Sequence, residues 1–284
     1  MIGTIVNLQF GSYGVFVHNH IHVCHVLKTD KMILKPVVGD HVTLDSTQSM
    51  IIDVLPRQSF IRRPRIANLT DLIVVSSLVE PTHSFYLVAM FLTFARYYNL
   101  KVTVVVTKTD QEDFKAFQTD WDYLNQHDIP VIAFQKNKPD LTKLKTLVSK
   151  GKVVAFAGQT GVGKSTLINT LNPFFERQIG TYSQALGRGK HQTKEVVLLP
   201  FQEGLIADTP GFSSLSLPMV KQEAAKVFPG FEKIFSQCKF FNCTHQHEPD
   251  CHIQALVSRG KIPLSIYQDY LKLISKLPEQ KEYE

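Results

Sequence analysis

The stretch GQTGVGKS, Gly158 to Ser165, restricts the fold more than any other part of the chain. Its spacing, G-x-x-x-x-G-K-S, functions only as the turn between a buried strand and the start of a helix. The flanks agree: KVVAFA precedes it with strand-forming residues and STLINTL follows with helix-forming ones. Glycines let the backbone wrap with its N–H groups inward, and the helix N-terminus adds partial positive charge, so such a turn suits a polyphosphate. On this pattern Gly158, Gln159, Thr160, Gly161, Val162 and Gly163 form the cradle. Lys164 reaches the outer phosphates, Ser165 offers its hydroxyl to Mg²⁺, and Thr166 lies toward the α-phosphate.

Two further elements belong to the same chemistry. Downstream, GLIADTPGF ends a strand at Asp208, and Asp208 to Gly211 fits D-x-x-G. There Asp208 is expected to hold Mg²⁺ through water and the Gly211 amide to sense the terminal phosphate. Between the phosphate loop and this element lies LGRGKHQTKE, glycine-rich and basic, with the character of a switch loop. Thr193 is its candidate second Mg²⁺ ligand, against the plain alternative of a loop threonine. Upstream, the strand KVTVVV runs into Thr107, Lys108, Thr109 and Asp110, a T-K-x-D turn. A carboxylate at Asp110 can accept from both N1–H and the 2-amino group of guanine, a pair adenine lacks, so the expected nucleotide is GTP or GDP. The base-reading turn thus precedes the phosphate loop, the reverse of an ordinary G domain. A parallel sheet tolerates that order if KVTVVVTKTD and IPVIAF lie at one edge and KVVAFAG joins them by a long crossover, since the strand ends still meet at one crevice. The pattern is a circular permutation. A second base-contacting loop falls at AFQKN, where Gln135 or Lys136 stands in for the usual residues.

The 284 residues allow two or three domains, and 44% hydrophobic with 20% charged residues describes a globular chain rather than a disordered one. Residues 1–65 read as all-β, with YGVFV, IHVCHVL, HVTLD and MIIDVL as short strands and VVGD as a turn. A small barrel results: an OB-fold, which binds oligonucleotides, or an SH3-like barrel. RQSFIRRPRIANLT follows as a basic linker in which Arg57, Arg62, Arg63 and Arg65 are either solvated or set against an RNA backbone. Residues 66–218 alternate strand and helix, the rhythm of an α/β sheet, with Thr82 or Ser84 as caps for the helix in SFYLVAMFLTFARYYNL. Residues 219–284 carry no strand signal and read as helical. The net charge of +6 suggests an anionic partner, although a basic surface without one is as compatible with it. The N-terminus MIGTIVNLQF has no basic segment before an apolar core, and no apolar run is long enough for a bilayer, so the expectation is a cytoplasmic protein without a signal peptide.

CKFFNCTHQHEPDC places Cys238, Cys243, His245 and Cys251 within one short stretch. Three thiolates and an imidazole make a closed tetrahedral Zn²⁺ set, so the expected role is structural rather than catalytic. His247 and His252 compete for the imidazole position. A second His/Cys tract, His18, His20, His22, Cys24 and His25, reads instead as an edge hairpin. Its odd positions Val17, Ile21 and Val23 are expected inside and its histidines outside, where they could contact RNA.

The motif order, with GQTGVGKST, LGRGKHQT and DTPGF, together with KPVVGD in the barrel and the terminal cysteine cluster, resembles the RsgA family, also called YjeQ or YloQ. The resemblance covers nearly the whole chain. It implies an OB-like barrel, a circularly permuted P-loop GTPase domain and a helical zinc-binding domain. It also implies a monomeric GTP hydrolase, with GTP or GDP, Mg²⁺ and one structural Zn²⁺. Its partners would be the small ribosomal subunit and its 16S rRNA, it would assist late subunit maturation away from any membrane, and the subunit would stimulate hydrolysis. The same four residues, Cys238, Cys243, His245 and Cys251, align with the family's zinc ligands, and Thr107 in place of asparagine is a change the family shows. The position after D-x-x-G, where many GTPases carry a glutamine, is Phe212. His191 then becomes the candidate for orienting water, on both the loop chemistry and the resemblance, against a loop histidine that contacts rRNA. A non-enzymatic alternative is an RNA-binding scaffold in which GTP only sets domain posture.

Overall fold

The computed structural model describes residues 1–9, 11–26, 35–45, 47–173, 196–208, 212 and 215–279. The N-terminal strands β1 (Ile2–Gln9), β2 (Ser12–Val17), β3 (His20–Val26), β4 (His41–Leu44) and β5 (Met50–Val54) close into a barrel in the order β1-β2-β3-β5-β4. β3 and β5 run parallel, and β4 returns antiparallel to β1. This Greek-key closure is the OB-like alternative, and it leaves no free sheet edge. Ile5, Val6, Val15, Cys24, Val42 and Ile51 fill the interior with no exposure.

The β2–β3 hairpin reverses one expectation. Its turn residues His18 and Asn19 both have positive φ, 46° and 67°, so the loop has two residues and Val17 pairs with His20. That register sets Cys24 opposite Tyr13 and buries it completely, while Val23 is 56% exposed. A strand's side-chain period is two, so the turn length alone decides which parity faces the core. Hydrophobicity favoured Val23, and the turn selected Cys24.

VVGD does more than turn. The Asp40 carboxylate is fully buried, accepts from the Val37 amide at 2.8 Å, and receives Arg57 Nε at 2.7 Å and Nη2 at 2.8 Å. Gly39 has φ +90°, and a Cβ there would stand 1.9 Å from the Ala67 carbonyl. Only glycine permits that approach. Arg57 is therefore committed to the barrel's base and lies over the Phe60 ring at 4.6 Å. Arg62, Arg63 and Arg65 stay exposed around the small ladder of β6 (Phe60–Ile61) and β7 (Ile66–Ala67).

The second sheet has six strands: β8 (Asp71–Ser77), β9 (Lys101–Thr107), β10 (Val131–Ala133), β11 (Val153–Ala157), β12 (Val197–Phe201) and β13 (Gly204–Asp208). Their order is β10-β9-β8-β11-β13-β12. β10 and β9 are parallel, as are β11 and β13, and β12 is antiparallel to β13. β9 and β10 do lie at one edge, and β8 stands between them and β11. Every residue of β8 and β11 is buried, as expected for central strands covered on both faces. Helix α1 (Phe85–Tyr97) starts with Ser84 at its N-cap position and buries Phe85, Val88, Phe91, Leu92 and Phe94. The next helical pattern is divided: a 3₁₀ turn at Phe114–Phe117, capped by the Asp113 carboxylate, precedes α2 (Gln118–Gln126). Then come α3 (Leu141–Thr146), α4 (Lys164–Leu171), α5 (Lys221–Val227), α6 (His252–Ser258) and α7 (Leu264–Ile274).

The chain divides into two compact units, one of residues 1–73, 139–156 and 164–213, the other of 74–138, 157–163 and 214–284. The first holds the barrel and the β11–β13 pairing. The second holds the T-K-x-D turn, the glycine loop and the cysteine cluster. No helix among the described residues is long and apolar enough to cross a membrane.

Candidate nucleotide site and metal centre

Strand β11 ends at Ala157 and the chain enters the glycine loop at once. Gly158, Gly161 and Gly163 have φ of +142°, +87° and +92°. A Cβ on Gly158 would stand 2.2 Å from the Val75 carbonyl, so this glycine also lets the loop lie flat against β8. Val162 is buried and pins the loop, whereas Thr160 and Gly161 are exposed. Gly163 leads directly into α4, whose first residue is Lys164. Burial pulls the Lys164 ammonium below the ordinary lysine value, a desolvation cost that a nearby anion would offset. Ser165 is exposed and Thr166 half-buried in the first turn.

The turn at Thr107–Asp110 is fastened to this loop. The Thr107 hydroxyl donates to the Val162 carbonyl at 2.6 Å, and the Ser76 carbonyl lies 3.2 Å from the same oxygen. Threonine in place of asparagine thus keeps a hydroxyl that ties β9 to the cradle, across 55 positions of sequence. Lys108 turns back with φ +57°, and its ammonium donates to the carbonyls of Val79 and Glu80. The Thr109 hydroxyl donates to the Phe134 carbonyl at 3.3 Å, and Gln135 Nε2 donates to the Thr109 carbonyl at 3.5 Å. The AFQKN loop therefore lies against the turn, with Lys136 exposed. Asp110 is exposed at the end of the turn, the accessibility an incoming base requires.

Asp208 ends β13 opposite Val197. Burial pushes its carboxyl above the ordinary aspartate value, a cost that a cation would offset. Phe212 is wholly buried, so it serves the core and is unavailable to water. His191, Thr193 and Gly211 lie outside the described residues.

Among the described residues, one group has the make-up of a metal site: Cys238, Cys243, His245 and Cys251, with ligand atoms all within 4.8 Å of one another. His245 Nδ1 stands 3.5 Å from Cys238 Sγ and 3.4 Å from Cys251 Sγ. Its Nε2 lies 3.3 Å from the Ala225 carbonyl, which takes that N–H and leaves Nδ1 facing the thiols. This selects His245 over His247 and His252, which are outside the group. Below it, the Glu248 carboxylate accepts from the Thr244 amide, the Thr244 hydroxyl at 2.7 Å and the Gln246 amide at 2.8 Å. Partial burial works against the charge, yet these hydrogen bonds hold the Glu248 pKa down at about 2. Tyr267 and Tyr270 donate to the His245 and Thr244 carbonyls at 2.6 and 2.5 Å. The cluster's loop is held by these bonds from outside, and its donor set fits Zn²⁺. Nothing in the spacing of the sequence marked Glu248, because its partners are backbone amides.

The RsgA GTPase family model matches residues 54–218. The chain belongs to the RsgA GTPase family. Among the family's members, the small ribosomal subunit biogenesis GTPase RsgA of Lactobacillus johnsonii is 35% identical over 98% of this chain and 96% of its own length. The protein of the same name from Mycoplasmopsis pulmonis is 35% identical over 98% of this chain and 100% of its own. Two solved structures have the same fold. YloQ, described as a circularly permuted GTPase, superposes with a TM-score of 0.80 at 25% identity, covering 100% of this chain and 96% of YloQ. YjeQ from Thermotoga maritima gives 0.81 at 28% identity, covering 97% and 98%. The reversed motif order in this RsgA-family chain is thus the permuted arrangement.

Proposed function

We propose that this RsgA-family protein hydrolyses GTP to GDP and phosphate while bound to the small ribosomal subunit and its 16S rRNA, and so assists late subunit maturation. The observation that carries the reading is the Thr107–Val162 hydrogen bond, which joins a guanine-type turn to a phosphate cradle. In this reading Thr107 to Asp110 select guanine, Gly158 to Gly163 wrap the phosphates, and Lys164 neutralises them. Ser165, Thr193 and Asp208 hold Mg²⁺, Thr166 contacts the α-phosphate side and Gly211 the γ-phosphate. Bound Mg²⁺ supplies charge neutralisation on the phosphates. With Phe212 unable to orient water, that task falls to His191. Zn²⁺ at Cys238, Cys243, His245 and Cys251 is structural. The division of labour follows residues 1–65 as an RNA-binding barrel, 66–218 as the GTPase domain and 219–284 as the zinc domain, in a monomer that works in the cytoplasm.

The test is GTP turnover with and without purified small subunits. Turnover is expected to rise at least about tenfold with subunits, and His191→Ala to remove most of it while leaving GTP affinity intact. Guanine nucleotide binding without any stimulation would favour a scaffold over a subunit-activated enzyme.

A further inference from the structure

The loop Leu78–Ser84 joins β8 to α1, and its anchor is a histidine no motif singled out. His83 is 8% exposed. Its Nδ1 lies 2.9 Å from Ser76 Oγ and its Nε2 3.0 Å from Asp120 Oδ2 on α2. The rings of Phe117 and Trp121 pack on it at centroid separations of 4.7 and 4.4 Å. Both nitrogens are satisfied when Nε2–H donates to the carboxylate and Nδ1 accepts the serine hydroxyl. Ser76 is only 7% exposed, so this Ser–His–Asp group cannot present a nucleophile to a substrate.

The anchored loop touches both halves of the nucleotide site. Lys108 donates its ammonium to the carbonyls of Val79 and Glu80. A Cβ on Gly161 would stand 3.5 Å from Pro81 Cδ and 3.7 Å from the Glu80 carbonyl oxygen, so the cradle rests against the same loop. The Ser77 hydroxyl donates to the Pro81 carbonyl at 2.6 Å and braces the loop from beneath. The Ser76 carbonyl in turn lies 3.2 Å from the Thr107 hydroxyl.

We propose that His83 is a positioning residue for nucleotide binding: by gripping Ser76 and Asp120 it fixes the Val79 and Glu80 carbonyls that orient Lys108 and the Glu80–Pro81 segment that supports Gly161. The inference rests on the guanine-nucleotide reading of the site given above. His83 touches neither base nor phosphate in this scheme, and it acts through Lys108 and the loop.

His83→Phe tests it, because the ring stays between Phe117 and Trp121 while both hydrogen bonds vanish. The GDP Kd and the KM for GTP are expected to rise roughly tenfold, with kcat at saturating GTP unchanged. Asp120→Ala should do the same, and Asp120→Asn, which keeps an acceptor oxygen, should return affinity to within about twofold of wild type. A purely structural role would lower the melting temperature of the Asp120 variants without this split in affinity. Wild-type affinity in a folded His83→Phe protein, or Asp120→Asn matching Asp120→Ala, overturns the inference. Should His83→Phe not fold, the Asp120 pair decides alone. A wild-type chain that binds no guanine nucleotide would sink the site reading together with this one, whereas normal wild-type binding with unchanged variants sinks only this one.

Discussion

Asp110 and Thr107 divide the work of one short turn. Thr107 is buried and spends its hydroxyl on Val162, whereas Asp110 is exposed and, in the proposed function, reads the base. The selectivity of Asp110 follows from donor and acceptor counting. A carboxylate accepts twice from guanine, but an asparagine at this position offers one acceptor and one donor, which matches xanthine. Asp110→Asn is therefore expected to weaken GTP binding by at least about 100-fold and to improve XTP relative to GTP, as read by competition binding. Equal losses for both nucleotides would remove Asp110 from base recognition. Arg57 teaches the opposite lesson. Its sequence neighbourhood is basic and suggests a surface contact, yet its guanidinium closes on the buried Asp40. Charge in a sequence does not say whether its partner is inside the fold or outside it.

At the level of elements, the cysteine loop is flanked by two short helices. Helices α5 and α6 have seven residues each, too few to be stable alone. The Cys/His cluster, the His245–Ala225 contact and the Tyr267 and Tyr270 hydroxyls help to hold this region, beside the packed rings of Phe228, Phe231 and Tyr270. Removing metal with a strong chelator, or making His245→Ala, is expected to open residues 238–251 to proteolysis and to abolish one-to-one zinc content. His247→Ala should keep full zinc content. Loss of zinc in His247→Ala with retention in His245→Ala would reverse the ligand assignment. The β2–β3 hairpin shows the limit of patterning at this scale. Alternation was visible in the sequence, but its phase was set by a two-residue turn whose φ angles no residue type there required.

For the whole molecule, chain order and spatial order separate. β9 carries the T-K-x-D turn and precedes β11 in sequence, yet in the sheet order only β8 lies between them. The net charge of +6 also belongs to this scale, since it acts on a partner rather than on the fold. If rRNA phosphates are that partner, affinity for small subunits should fall by about tenfold or more between about 50 and 200 mM salt, approximately linearly on a log–log plot. Affinity flat across that range would point to contacts with protein instead.

The glycine loop, the T-K-x-D turn, the four zinc-type ligands and the α/β rhythm were all legible in the sequence. Each depends on residue types at short fixed spacings, where local backbone geometry suffices. The burial of Cys24, the Arg57–Asp40 pair and the Ser76–His83–Asp120 group were not. These join residues distant in the chain, and only the folded backbone brings their side chains within hydrogen-bonding or packing distance.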